Sequence, residues 1–461
     1  MSALRIGTEP MQMVRAVGAW VAGLIRSNAQ LRADLATTRA DLAAAQARIV
    51  EFEAQAARTK KPPAFVRANR PQHREGEPRK KREMNFARKR ETPTREVDHA
   101  YEQCPVGGTT LLGGYVKWTR QVLHVPVVRA EVIEHRFLGR QCPVCNQERT
   151  PTVDLRGDVV GQHRVSAATM ALIATLREVG RLPVRTIQWQ LETLHGLHLS
   201  TGEIVELLHA VRQQAAPLVE ALKAEVQASP VVHGDETGWR EQGQNGYLWT
   251  FDTPTVRYFE RHATRSGDVV AAVLGAAYEG TVVSDFYGAY NRHAGRHQRC
   301  WAHLLRDAHE LREANPDNAA VQAWVAAVKT VYHRARDWVR AHPLATEAER
   351  EAAQHQFEAE LHQESAPSVK KSVPQRVLSE RIERFLPELF VFVADPRVPA
   401  TNNAAERALR PLVISRKISG GTRSEAGSAT KTALASLFGT WQVCGQNSYT
   451  ACLAALTSPQ V

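Results

Sequence analysis

The chain holds 461 residues, of which 43% are hydrophobic, 23% charged and 7% aromatic, a core-forming composition long enough for about three domain-sized units. Lys and Arg number 59 against 48 Asp and Glu, and the net charge of +11 favours a polyanionic partner, nucleic acid or an acidic membrane surface, without choosing between them. Six cysteines are too few for a disulfide scaffold, and the longest apolar run, residues 16–25, is about half the ~20 residues a spanning helix needs, so a cytoplasmic protein without membrane span or signal peptide is expected.

Residues 13–57 carry a seven-residue hydrophobic period. Val17, Leu24, Leu31, Ala45 and Phe52 form one seam and Val21, Leu35, Leu42, Ile49 and Ala56 the other, which predicts a leucine-zipper-like coiled coil joining copies of the chain. Asn28 on the second seam would fix register, and Thr38 weakens the first. The competing reading is an Ala-rich amphipathic helix folded back on its own protein.

Residues 58–97 form a basic linker. Between Arg58 and Arg95 stand fourteen Lys or Arg against four Glu, a net +10 that nearly accounts for the whole chain's excess. Pro62, Pro63, Pro71, Pro78 and Pro93 and a shortage of apolar residues predict disorder, with phosphate contacts that read no sequence.

Over residues 98–150 the texture changes to short β-like runs at 122–128 and 130–135, bracketed by Cys104 and by Cys142-Pro-Val-Cys145. Two knuckles around a hairpin predict a zinc-ribbon-like module. The first knuckle reads Cys104-Pro-Val-Gly107, so a glycine stands where a fourth thiolate would complete the site. Cys104, Cys142 and Cys145 remain as zinc ligands, His124 or His135 could add a fourth, and the alternative is a hairpin module that keeps the shape without metal.

Residues 160–228 read as helical, with a helix-turn-helix pattern over 182–209. Pro183 opens a segment running to Leu194, Gly196 breaks it, and Ser200 and Thr201 cap a second segment containing Ile204, Val205, Leu207 and Leu208. A DNA-reading motif and a plain helical hairpin fit this pattern about equally, and the basic linker upstream favours the first.

After Pro230 strands are predicted at 231–235, 246–251 and 256–260, then a helix over 266–274 and a strand over 280–285. Asp235 ends the first strand and Asp285 the fourth. This order is the ribonuclease-H-like arrangement, in which the first and fourth strands lie side by side and bring two Asp side chains together, as two Mg²⁺ ions acting on a phosphodiester require. Residues 229–310 are its first part and 396–425 its second. The third carboxylate is expected from Glu406, on a short helix opened by Thr401 or Asn402 and limited by Pro411; the plainer reading is an Glu406–Arg410 ion pair. Glu236 should face away from Asp235. The charged helical stretch between, residues 311–395, reads as an all-α insertion, and residues 426–461 as a C-terminal helical extension.

His233-Gly-Asp235-Glu-Thr237, Ser284-Asp285-Phe-Tyr287-Gly-Ala-Tyr290, Arg299-Cys300-Trp-Ala-His303 and Asn402-Asn403-Ala-Ala-Glu406-Arg407-Ala-Leu-Arg410-Pro411 together resemble the bacterial transposases of insertion sequence 66, DDE enzymes with a ribonuclease-H-like core. The resemblance implies a multidomain α+β protein that cuts and joins DNA at inverted-repeat ends, with Asp235, Asp285 and Glu406 holding two Mg²⁺ ions, for which Mn²⁺ can substitute. It implies supporting roles for Cys300, His303, Asn402 and Asn403 and phosphate contacts from Arg407, Arg410, Arg416 and Lys417. The partners implied are double-stranded DNA, a second copy of the chain and helper proteins, at the bacterial nucleoid. Gly107 departs from the family pattern and puts Zn²⁺ binding in question. The readings that compete are a catalytically lapsed or helper-dependent DNA-binding protein and a nuclease without strand transfer.

Overall fold

The computed structural model describes residues 9–59, 90–155, 157–366 and 373–458. The basic linker expected over 58–97 falls outside the described residues except at its ends. The chain divides into two units, Met1–Leu123 and His124–Val461.

The first unit contains α1 (Glu9–Thr59), a continuous helix of 51 residues. Its Ala, Leu, Arg and Gln content favours helix throughout, and Pro10 stands in the first turn, where a missing N–H costs nothing. Leu24, Leu31, Leu35, Leu42 and Ile49, all on the expected seams, are exposed along it.

Cys104 in the first unit and Cys142 in the second begin the same local turn. In the first knuckle the Cys104 N–H donates to Thr109 O (2.8 Å) and the Gly108 N–H to Cys104 O (2.8 Å). In the second, Cys142 donates to Gln147 O and Asn146 to Cys142 O, both at 2.9 Å. Gly108 and Asn146 occupy the left-handed region at φ 65° and 53°. The knuckle geometry therefore survives where Gly107 replaces a cysteine.

The hairpin expected between the knuckles is a correction. Residues 122–135 form no regular strand, and the described pairing is confined to β1 (Arg140–Gln141) with β2 (Glu148–Arg149) and a bridge between Gln103 and Thr110. Val122, Val125, Val127, Val132 and Ile133 are exposed, so the β-forming side chains have no facing surface to pack on, and composition alone does not make a strand. The stretch after His124 is held through Val128 O, which lies 2.8 Å from His195 Nδ1, and by the Ala130 N–H donating to His195 O.

Helices α2 (Ala167–Glu178), α3 (Val184–Gln190), α4 (Thr201–Gln214) and α5 (Ala216–Ala228) follow. Pro183 opens α3, which continues as a π-helical turn, Leu191–His195, and Gly196 ends it at φ 67°. Ser200 Oγ accepts the Glu203 N–H at 3.0 Å and caps α4.

The central sheet has five strands: β3 (Val231–Glu241), β4 (Gln244–Asp252), β5 (Arg257–His262), β6 (Thr281–Ser284) and β7 (His297–Arg299), in the order β5-β4-β3-β6-β7. β3, β4 and β5 are antiparallel, and β3, β6 and β7 are parallel, with α6 (Asp268–Leu274) between β5 and β6. Alternation along β3 divides the core. Val232 packs with Val226, Trp249, Val269 and Val282 on one face, while Val231 and Trp239 point to the other.

On that other face lie α7 (Trp301–Ala314), α8 (Ala319–Ala341), α9 (Glu347–Ser365), α10 (Arg376–Phe385) and α11 (Val391–Ala394), whose apolar stripes join Val231 and Val283 in one cluster around Trp301 and Phe390. α12 (Asn403–Ser419) buries Leu409 and Leu412 against Trp239 and Leu248. Pro411 stands inside α12 and does not limit it, because Leu409, Leu412 and Ser415 anchor the helix on both sides of the missing N–H.

The last helices, α13 (Glu425–Val443) and α14 (Ser448–Thr457), pack with α2, α3 and α4 in a single core that includes Met170, Ile187, Leu207, Leu434, Phe438 and Leu456. A buried Lys431–Glu178 ion pair at 2.7 Å joins the two segments. α13 also covers the edge of the sheet: Ser436 Oγ accepts the Phe259 N–H (2.8 Å) and Thr440 Oγ1 the Arg257 N–H (3.0 Å). Two outward donors of β5 are thereby closed to other strands.

Candidate active site

β3 and β6 run in parallel with His233 opposite Val283; Asp235 follows two residues on within β3, and Asp285 comes directly after the last residue of β6. Asp235 shares side-chain parity with Val231, which lies in the core cluster of α7 to α11, so its carboxylate leaves the sheet on the face that carries α7 and α12, and the charge of Asp285 acts on it. Glu236 points the opposite way. Its carboxylate accepts the Tyr290 hydroxyl (2.8 Å) and Arg265 Nε (2.7 Å). Gly234 permits this packing, since a Cβ there would come within 2.7 Å of Tyr290 Cε1.

Asp235 Oδ1 accepts the Glu236 N–H (2.8 Å), and Asp285 Oδ1 accepts the Tyr287 N–H (2.9 Å). Burial pushes the Asp235 carboxyl up to about 7, and the charges of Glu236, Asp285 and Glu406 add to the effect. Glu406 lies in the first turn of α12, half-buried, with Oε1 buried and without a hydrogen-bond partner. That oxygen lies 3.7 Å from His303 Nε2.

Three elements are fastened here by Asn402. This buried side chain does not cap α12; its Nδ2 donates to Gly234 O (2.7 Å), its Oδ1 lies 2.9 Å from His233 Nδ1, and its N–H donates to Cys300 Sγ (3.1 Å). The first half of β3, the start of α7 and the start of α12 are tied together by one residue. Burial pulls the His233 imidazole down to about 4, partly offset by the bond to Asn402, so the ring is neutral and its Nδ1–H donates.

Among the described residues, the one trio of His, Cys, Asp or Glu whose ligand atoms all lie within 4.8 Å of one another is Cys300, His303 and Glu406. The sequence spacing marked Cys300 and His303 as a pair. That Glu406 joins them, a hundred residues on, follows only from the placement of α7 beside α12.

Of the expected phosphate contacts, Arg407, Arg410 and Lys417 are exposed, and with Asn403 and Ile414 they recur along α12 at helical spacing, forming one stripe. Arg416 is a correction. It faces the sheet, where its guanidinium donates to Thr237 Oγ1 (3.1 Å) and to Gly238 O, and so joins α12 to β3. In α4 the fully exposed positions are Gly202, Glu206 and Gln213, none of them basic, while Ile204, Leu207, Leu208 and Val211 are buried. The second segment of the helix-turn-helix pattern is thus a core helix with a weakly charged outer face.

No helix among the described residues is long and apolar enough to cross a membrane. The chain is similar to an uncharacterised protein of Sinorhizobium fredii, y4qI, at 30% identity over 205 residues, which is 40% of this chain and 36% of that protein. The chain thus matches little more than a third of that relative's length. A family model described as the Transposase IS66 family matches residues 162–430, a span that takes in the sheet, the helices laid on it and all three expected carboxylates. The chain belongs to the IS66 family of transposases.

Proposed function

We propose that this chain is an active DDE transposase that cleaves DNA at the inverted-repeat ends of a bacterial insertion sequence and joins the freed ends to target DNA. The observation that supports the reading is the mutual electrostatic influence of three carboxylates from separate elements, with the charges of Asp285, just after β6, and Glu406, in the first turn of α12, both acting on Asp235 in β3. The strand order, with the first and fourth core strands adjacent and parallel, supports a ribonuclease-H-like core.

Asp235, Asp285 and Glu406 fit divalent magnesium. They are hard oxygen donors from three separate elements, their negative charges oppose one another, and Glu406 keeps an unpaired buried oxygen. Two Mg²⁺ ions held by these residues, or Mn²⁺ in their place, would supply activation of a water or a 3′-hydroxyl and stabilisation of the leaving oxygen. Asn402 keeps the carboxylate-bearing elements in register, and Glu236, drawn to Tyr290 and Arg265, stays out of the donor set. The stripe of Asn403, Arg407, Arg410 and Lys417 offers phosphate contacts next to the third carboxylate. The exposed apolar seams of α1 support pairing of two copies, which would bring two DNA ends together.

Incubation of the protein with Mg²⁺, labelled DNA carrying the ends that flank its gene and a supercoiled target tests the reading. Joined products are expected. Cleaved ends that are never joined would indicate a nuclease, and binding without cleavage would indicate the lapsed or helper-dependent protein.

A further inference from the structure

Cys300, His303 and Glu406 bring together a thiol, an imidazole and a carboxylate, with all three ligand atoms within 4.8 Å of one another. Each has a structural reason to stay there. Cys300 is the N-cap residue of α7, fully buried, and its sulfur accepts the Asn402 N–H at 3.1 Å. Glu406 stands in the first turn of α12, so the positive ends of two helices converge on the group, while burial holds the Cys300 thiol above its ordinary range in the absence of a cation. His303 Nδ1 and Glu406 Oε1 are both buried and have no hydrogen-bond partner. His303 meets Glu406 Oε1 through its other ring nitrogen, Nε2, at 3.7 Å, too long for a hydrogen bond, and an unsatisfied buried oxygen facing a ring nitrogen calls for a ligand.

We propose that Cys300, His303 and Glu406 form a site for a borderline-soft divalent cation such as Zn²⁺, distinct from the oxygen-only site of Asp235 and Asp285, and that its occupation withholds Glu406 from catalysis. A sulfur, nitrogen and oxygen set selects Zn²⁺ or Co²⁺ over Mg²⁺. Tetrahedral zinc needs its ligands roughly 3.3 to 3.8 Å apart, so the side chains must close by about 1 Å, within the reach of the His303 and Glu406 rotamers. Three protein ligands leave a fourth position for water, which makes the ion exchangeable. Glu406 is then shared between two states. With the soft ion it belongs to Cys300 and His303, and without it the carboxylate is free to face the aspartates. The inhibitory half of this inference rests on Glu406 being the third carboxylate, whereas the binding half does not.

The test uses the full chain carrying Cys104→Ser, Cys142→Ser and Cys145→Ser, titrated with Co²⁺ in the absence of DNA. The expected result is a thiolate-to-cobalt charge-transfer band that saturates at one ion per chain, is displaced by Zn²⁺ and resists a large excess of Mg²⁺. Cys300→Ser should abolish the band, and His303→Ala and Glu406→Gln should each weaken binding at least tenfold. Absence of the band in the folded protein overturns the proposal. So does a band that persists in Cys300→Ser, or, where that variant fails to fold by circular dichroism, binding unchanged in both His303→Ala and Glu406→Gln. In the cleavage assay Zn²⁺ should suppress the Mg²⁺-supported reaction and a chelator selective for zinc should restore it; full activity at saturating Zn²⁺ overturns the inhibitory half. A cobalt band in a protein that never cleaves DNA supports the site and counts against the transposase reading instead.

Discussion

Asn402 holds His233 across 169 residues of sequence, with Oδ1 and Nδ1 2.9 Å apart in the buried interior, while its amide donates to the neighbouring Gly234 carbonyl at 2.7 Å. Both contacts fall two residues or fewer from Asp235, and Asn402 itself lies one turn before Glu406. The geometry of the proposed site therefore depends on a residue that carries no charge.

Replacing that side chain should be costly. Asn402→Ala leaves the His233 ring and the Gly234 carbonyl without partners in the interior, a penalty of about 2–4 kcal/mol on unfolding. Chemical denaturation would measure it, and a midpoint equal to that of the parent chain would show that the clamp contributes nothing.

The two kinds of arginine on α12 should separate in their effects. Arg407→Ala with Arg410→Ala is expected to weaken binding to DNA of any sequence and to lower the slope of log affinity against log salt by about 2, with the melting temperature unchanged. Arg416→Ala should instead lower the melting temperature, because it removes the bonds to Thr237 and Gly238. Salt-titrated fluorescence anisotropy and thermal unfolding distinguish these outcomes.

Asp252 makes a prediction about pH. It is fully buried, its Oδ2 has no hydrogen-bond partner, and burial raises its carboxyl to about 8, only partly countered by Arg257 and Thr250. The folded chain therefore prefers the protonated acid, and this group's contribution is favourable at low pH and declines as pH rises from about 4 to about 8. Asp252→Asn should stabilise the protein at pH 8, by on the order of 1–3 kcal/mol, and the advantage should shrink toward pH 4. Thermal melts of both proteins at several pH values provide the check, and an advantage that grows on acidification would contradict the sign.

Packing at Gly234 supplies another. Gly234→Ala drives a methyl group against the Tyr290 ring, whose hydroxyl holds Glu236, and overpacking of this kind costs about 1–3 kcal/mol. A Tyr290→Phe background loses the hydroxyl contact but keeps the ring, so it should relieve little of that cost in equilibrium unfolding.

The sequence made the elements of the sheet legible because they carry strong local signals. The apolar residues before Asp235 and before Asp285 mark strands, although β3 continues past Asp235 to Glu241 because it pairs with β4 over that length, and Gly196 with Ser200 marks a helix stop and start. Signals that depend on a distant partner were not legible. Residues 122–135 have strand-forming composition but no facing surface, Pro411 interrupts a helix that burial on both sides preserves, and Arg416 resembles its basic neighbours until the sheet is placed beneath it. The meeting of Glu406 with Cys300 and His303 and the clamp made by Asn402 are likewise products of packing between segments about a hundred residues or more apart. The fourteen basic residues in the linker are plain in the sequence and account for most of its net charge.

The central claim is that Asp235, Asp285 and Glu406 act together on DNA bound by the rest of the chain. Its most direct test measures end binding and Mg²⁺-dependent cleavage side by side for Asp235→Asn, Asp285→Asn and Glu406→Gln. Each substitution removes a metal-holding charge and no phosphate contact, so cleavage should fall by at least a thousandfold, about 4 kcal/mol in barrier, with end binding within a few-fold of the parent. Cleavage that survives any one of the three, or binding lost in step with cleavage in all of them, would contradict the account.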